Sequence, residues 1–348
     1  NLRGRNLIKV VYVVLESQYQ SALSQAVSTI NSNNPNLAIE ISGYLIEELR
    51  DPENYEEFKR EMETANIFIA SLIFIEDLAQ KVVTAVEPHR HHLDVSVVFP
   101  SMPEVMRLNK MGTFSLAQLG QSKSAIAQFM RKRKEKSGAG FQDGMLKLLR
   151  TLPQVLKFLP MEKAQDARNF MLSFQYWLGG SPENLENFLL MLADKYVLKD
   201  VDKKNFPSPT YEAPVVYPDM GIWHPLATTM FEDIREYLNW YTARKDISSD
   251  LKDPLAPCVG LVLQRTHLVT GDDAHYVAIV QELESLGARV IPVFAGGLDF
   301  SKPVDAYFYE PTTNTTLIDA VISLTGFALV GGPARQDHPK AIESLKRL

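Results

Sequence analysis

The stretch that decides the fold runs from Pro257 to Ser301 and reads PCVGLVLQRTHLVTGDDAHYVAIVQELESLGARVIPVFAGGLDFS. Val259–Leu263 is a short apolar run of the kind a buried parallel strand needs, and Thr266–Asp273 gathers Thr, Gly and two Asp residues as turn chemistry. Val277, Val280 and Leu283 then recur at helical spacing, and Gly287 stands where a left-handed residue closes a helix. Arg289–Phe294 is a second buried strand that ends in Ala295-Gly296-Gly297. The unit is strand, helix, strand, with its polar residues at the strand ends. In an open parallel sheet that carboxyl edge is where ligands bind, because loops and helix N-termini converge there.

Working outward, the amino-terminal part repeats the alternation. Leu7–Leu15 is nearly continuous β-branched sequence, followed by a helix from Ser17 to about Ile30, a strand at Leu37–Ile41 and a helix opened by Asp51-Pro52. Asn66–Ile75, Glu76–Val86 and Asp94–Phe99 continue as strand, helix and strand. After Pro100 the pattern turns helical, at Met102–Met111, Lys123–Lys134, Phe141–Leu159 and Glu162–Leu178, and Gly179-Gly180-Ser181-Pro182 opens a further helix with Ser181 as its cap. Lys199–Pro214 has linker composition, Phe231–Tyr241 is an aromatic helix, Asp319–Thr325 is another strand, and His338–Leu348 starts a helix after which a further strand is due. The expected fold is α/β: a flavodoxin-like parallel sheet over residues 1–112, a helical subdomain over 113–200, and a second, incomplete α/β domain over 201–348, truncated at its C-terminus.

Composition narrows the function classes. The 348 residues exceed what one hydrophobic core usually serves, and a formal charge of -6 argues against a general nucleic-acid coat. The basic run Arg131–Lys136 is the local exception and reads as a solvated helix end or as a patch for an anionic partner. A single cysteine, Cys258, permits neither an internal disulfide nor a thiolate metal site, which fits reducing surroundings. No apolar run reaches the length of about 18 residues that spans a bilayer, so an integral membrane protein is not expected.

Candidate chemistry concentrates on the second half. Arg265, His267 and His275 flank the turn after its first strand, with Asp272 and Asp273 beside them. These groups serve either as caps and neutralised neighbours or as direct contacts to an acidic or metal-bearing ligand, and the pattern leaves both open. Gly296, Gly297 and Gly332 follow apolar strands and let backbone amides approach a carboxylate or phosphate, which Arg335 would pair bidentately. No catalytic residue and no metal site is assigned. His89-Arg90-His91-His92 reads as an unliganded loop, GxGxxG after the first strand, GxxxxGK[ST] and GxSxG are absent, and Gly120–Ser124 lacks the strand a phosphate loop follows. The aromatics Phe170, Phe174, Tyr176, Trp177, Trp223, Phe231, Tyr237, Trp240 and Tyr241 either pack a core or line a flat apolar ligand.

Several stretches carry a resemblance: VVFPSMPEVMRLNKMGTFSLAQLGQ at Val97–Gln121, QDARNFMLSFQYWLGGSPENLENFLLMLADK at Gln165–Lys195, GIWHPLA at Gly221–Ala227, Gly260–Pro303, and GGPARQDHPKAIESL at Gly331–Leu345. Together they resemble the N-terminal part of the large, porphyrin-binding H subunits of magnesium chelatases, and Gly179–Asn184 is similar to the wider group that includes the cobaltochelatase large subunit. The resemblance implies a subunit that holds protoporphyrin IX while Mg2+ is inserted, with ATP hydrolysed by two AAA+ partner subunits and a separate porphyrin-carrier protein as activator. It implies no firmly bound cofactor, Mg2+ and protoporphyrin IX being substrates of the complete subunit. It also implies a cyanobacterial cytoplasm or a chloroplast stroma, with peripheral membrane association. Its metal-handling carboxylates and histidine belong to family segments outside this chain, so no complete active site is expected here. Two other readings stand beside it: a two-lobed α/β small-molecule-binding or sensory module, and a pure subunit-docking domain.

Overall fold

Asn6–Val14 (β1) is fully buried from Val10 to Val14, as a strand must be where helices cover both faces of its sheet. Around it, in the computed structural model, which describes residues 5–114, 161–199, 203–204, 207–331 and 336–348, a parallel sheet forms in the order β2-β1-β3-β4. Its other strands are Leu37–Leu45 (β2), Ile67–Ser71 (β3) and Val95–Val98 (β4), and its crossover helices are Gln18–Asn33 (α1), Pro52–Glu63 (α2) and Glu76–Val86 (α3). This is the flavodoxin-like alternation expected from the sequence, with the reversal of strand order between β1 and β3.

Local chemistry accounts for where the elements stop. Asp51 caps α2 by accepting the Glu53 and Asn54 amides at 2.8 and 3.2 Å, whereas Ser17 stands before α1 in helical geometry and makes no side-chain cap. The strand expected to run to Ile75 ends at Ser71, because Leu72 takes a φ of 60° and gives its amide to the Pro100 carbonyl. The helix expected over Met102–Met111 is a single turn, Pro103–Met106 (α4). Beyond it the Asn109 side-chain oxygen takes the Val98 amide and Lys110 pairs with Ser96, so the chain rejoins the sheet edge instead. The expected helices at Lys123–Lys134 and Phe141–Leu159, and the basic run Arg131–Lys136, lie outside the described residues.

Met161–Gly179 (α5) and Pro182–Leu192 (α6) pack on this first unit, α6 lying against α1. Gly180, at a φ of 60°, reverses the chain between them in a conformation that costs a β-carbon dearly, and the Ser181 hydroxyl accepts the Asn184 amide at 3.1 Å. Trp177 ends α5 with its indole stacked on Tyr19 (4.3 Å between centroids, 5° between planes) and on Phe99 (4.8 Å, 18°). Its Nε1–H donates to the Ser71 hydroxyl at the end of β3. The Asn184 side chain both donates to and accepts from the Val215 backbone, and Asn187 accepts the Glu212 amide, so an extended segment is stitched along α6.

The second compact unit, from Tyr217 to Leu348, holds a mixed sheet in the order β5-β7-β6-β8. Cys258–Gln264 (β6), Arg289–Ala295 (β7) and Ala320–Ser323 (β8) are parallel, and Met220–Ile222 (β5) runs antiparallel to β7. Its helices are Ile234–Ala243 (α7), Ser249–Lys252 (α8), Arg265–Thr270 (α9), Ala274–Ser285 (α10), Ser301–Tyr307 (α11) and His338–Arg347 (α12). The aromatic helix begins at Ile234 under an Asp233 cap, because Phe231 pairs as a bridge with Ile222. Gly287 adopts a φ of 85° after α10, as its position in the sequence requires. β8 keeps most of its surface exposed, an unusual state for a strand of a parallel sheet.

Candidate functional site

β6 and β7 end side by side, Gln264 in register with Ala295, and this edge receives most of the residues expected to bind a ligand. Arg265 follows β6 directly. Its Nε donates to the Pro218 carbonyl at 2.8 Å and a terminal nitrogen donates to the Tyr217 carbonyl at 3.1 Å. Gly296 follows β7, and its amide donates to the Asp219 carbonyl at 2.7 Å. Gly297 is exposed, with nothing among the described residues within 4 Å of the place a β-carbon would occupy. Gly332 and Arg335 lie outside the described residues.

The stretch expected as a turn after β6 contains the short helix α9, closed by Gly271 in the left-handed region. This turn of helix carries His267 toward α10. The His267 ring meets His275 at 5.0 Å and Tyr276 at 5.6 Å between centroids, and its Nδ1 lies 3.1 Å from the Asp272 carboxylate. Asp272 therefore partners a histidine, and Asp273, at the cap position of α10, makes no side-chain cap. Tyr276 is buried beneath the pair, and its hydroxyl accepts the Gln264 amide at 3.2 Å. The arrangement offers imidazole edges, a guanidinium and a backbone amide at one sheet edge, a donor set suited to carboxylates. Among the described residues, no three or more His, Cys, Asp or Glu side chains are placed to hold a metal ion. Cys258 is buried at the start of β6, and burial pushes its thiol up to about 11, which leaves it protonated and unreactive.

A second polar cluster escapes sequence reasoning because its members are scattered over sixty positions. Glu284, near the end of α10, receives the Tyr241 hydroxyl at 2.8 Å and Arg244 at 2.6 and 3.0 Å. Arg244 also grips Asp246 at 3.2 and 2.6 Å. His224, from the GIWHPLA stretch, accepts the Leu226 amide on Nδ1 at 3.2 Å, so the neutral ring carries its proton on Nε2 and donates it to Glu284 at 2.9 Å. Burial holds His224 below the usual imidazole range, against the opposing pull of Glu284. Burial alone would raise the Glu284 carboxyl, but bonds from His224, Arg244 and Tyr241 outweigh it and hold the group at about 2. Because β5 is antiparallel to β7, this cluster sits at the amino end of the parallel strands, opposite their carboxyl edge. Its geometry is that of a clasp joining α7, α10 and the segment after β5.

The aromatics resolve into core. Phe170, Phe174, Tyr176 and Trp177 are buried in the first unit, Trp223, Tyr237 and Tyr241 in the second, and Phe231 and Trp240 pack against that second core. The His89–His92 loop brings the His89 and His91 rings each within 5.3 Å of His92, with no described partner that would complete a metal set.

Residues 174–348, half of the chain, match the family described as CobN/Magnesium Chelatase. The chain belongs to the CobN/magnesium chelatase family. Residues 9–171 match a family described as a domain of unknown function, DUF3479. The chloroplastic magnesium-chelatase ChlH subunit of Oryza sativa subsp. indica is 60% identical over 349 residues, covering 99% of this chain and 25% of its own length. The magnesium-chelatase H subunit of Cereibacter sphaeroides is 33% identical over 345 residues, covering 97% of this chain and 27% of its own. The catalytic subunit of cobaltochelatase from Mycobacterium tuberculosis superposes with a TM-score of 0.42 at 10% identity, over 85% of this chain and 17% of that one. The chain spans about a quarter of the length of the curated relatives it matches. Among the described residues, no helix is long and apolar enough to cross a membrane.

Proposed function

We propose that this chain is the amino-terminal part of a magnesium-chelatase H-type subunit and contributes to the insertion of Mg2+ into protoporphyrin IX. The 60% identity to the rice subunit across 99% of the chain is the observation that carries this reading. In it, Mg2+ and the porphyrin are substrates, two AAA+ partner subunits hydrolyse ATP, and a carrier protein delivers porphyrin. The working place is a chloroplast stroma or a bacterial cytoplasm, at the membrane periphery. The role of this portion is porphyrin access and scaffolding. The donors at the carboxyl edge of the second sheet suit the propionates of a macrocycle, whose flat apolar body needs walls from elsewhere in the subunit.

A chimera in which this chain replaces the matching segment of the rice subunit tests the proposal. With partner subunits and ATP present, it is expected to insert magnesium at a rate within about tenfold of the parent. A folded chimera that assembles with its partners and shows no insertion overturns the reading.

A further inference from the structure

The anion-seeking donors at the edge of the second sheet are already occupied, and their occupant is the chain itself. Three consecutive carbonyls, those of Tyr217, Pro218 and Asp219, are held by Arg265 and by the Gly296 amide, from the ends of two neighbouring parallel strands. The segment that supplies them has no regular secondary structure. None of its side chains belongs to the described core cluster of the unit, Tyr217 and Pro218 being half-buried and Asp219 exposed, and the residue before it, Val216, is 86% exposed. A segment held mainly by hydrogen bonds, with its apolar side chains only half-buried, opens at lower free-energy cost than one locked into a core.

The two bonds that Arg265 gives to Tyr217 and Pro218 go to carbonyls, and each such bond is weaker than one to a carboxylate. The carbonyl carries only a partial charge, whereas a carboxylate presents two charged oxygens in the planar geometry the fork matches. Gly297, next along the chain from Gly296, has no described residue within 4 Å of its β-carbon position.

We propose that Tyr217–Asp219 is a displaceable strap over a carboxylate site whose anchors are Arg265 and the Gly296 amide. An organic carboxylate takes both donors, the three carbonyls are released to water, and the strap loosens. No covalent step is involved. The inference rests on the reading of this edge as the one that meets the propionates of the macrocycle.

Hydrogen exchange on the intact subunit tests it, followed in the peptide spanning residues 215–221. Exchange is measured with protoporphyrin IX, with its dimethyl ester and with plain propionate, and porphyrin absorbance reports binding in parallel. The free diacid and propionate are expected to speed exchange of the strap by at least about fivefold, and the diester to leave it unchanged. Arg265→Ala is expected to exchange fast without ligand and to lose the response, and Arg265→Lys, which keeps the charge without the fork, to respond more weakly. Bound porphyrin with a strap as protected as before, or a diester as effective as the diacid, overturns the strap and leaves the proposed function standing. Strap release by propionate in a subunit that binds no porphyrin overturns the function and keeps the strap. A subunit that shows neither binding nor release overturns both.

Discussion

Glu284 has both carboxylate oxygens engaged, by His224, Tyr241 and Arg244, and is the centre of the clasp. Removing one partner of a buried ion pair leaves the other charge uncompensated, so Arg244→Ala is expected to cost about 3–5 kcal/mol, read as a fall in denaturant midpoint at unchanged slope. The same cluster sets an acid limit. His224 has a lowered pKa in the fold, so the unfolded chain gains a proton there first, and stability declines once pH drops below the ordinary imidazole value of 6.5. Glu284 is depressed from 4.5 to about 2, so its contribution is complete above 4.5 and is lost as pH falls from there toward 2. Melting temperature against pH should show both losses, and Glu284→Gln should flatten the lower one; an unchanged lower limb would assign it to other carboxylates. None of this is legible in the sequence. Glu284 reads there as one acid among several on a helix, and its partners at 224, 241, 244 and 246 arrive by tertiary folding.

Elements are more readable, because caps and breakers act over a few residues. Asp51-Pro52 and Ser181-Pro182 declare themselves by residue type and position, and both caps form. Ser181→Ala is expected to cost about 1 kcal/mol, measured by thermal or denaturant unfolding. Where the pattern misleads, a long-range partner has captured the backbone. Asn109 takes the Val98 amide and shortens α4, and Leu72 turns toward Pro100 and shortens β3. The carboxyl edge of the second sheet is legible in part: the sequence marks Arg265 and Gly296 as candidate donors but gives no sign that residues 217–219 lie across them. Asn184→Ala removes two bonds to Val215 and is expected to raise proteolytic cleavage within 210–216. Unchanged cleavage would show that the segment is held by its remaining contacts.

At the scale of the whole chain, the parallel strands β7-β6-β8 repeat the β2-β1-β3 order of the first sheet, so periodicity alone can reveal two α/β units. It cannot reveal what fills the first sheet's point of strand reversal. There Trp177 lies between Tyr19 and Phe99 and bonds Ser71, where a flavodoxin-like sheet would hold a ligand. Trp177→Ala is expected to cost about 3–5 kcal/mol in the first unit, seen in calorimetry as an earlier transition.

The ion clasp at one end of β6 and β7 and the donor edge at the other divide labour along the same two strands. Changes at the donor edge leave the clasp intact, so that edge can drift toward new ligands without endangering the fold. A scaffold arranged in this way is evolvable.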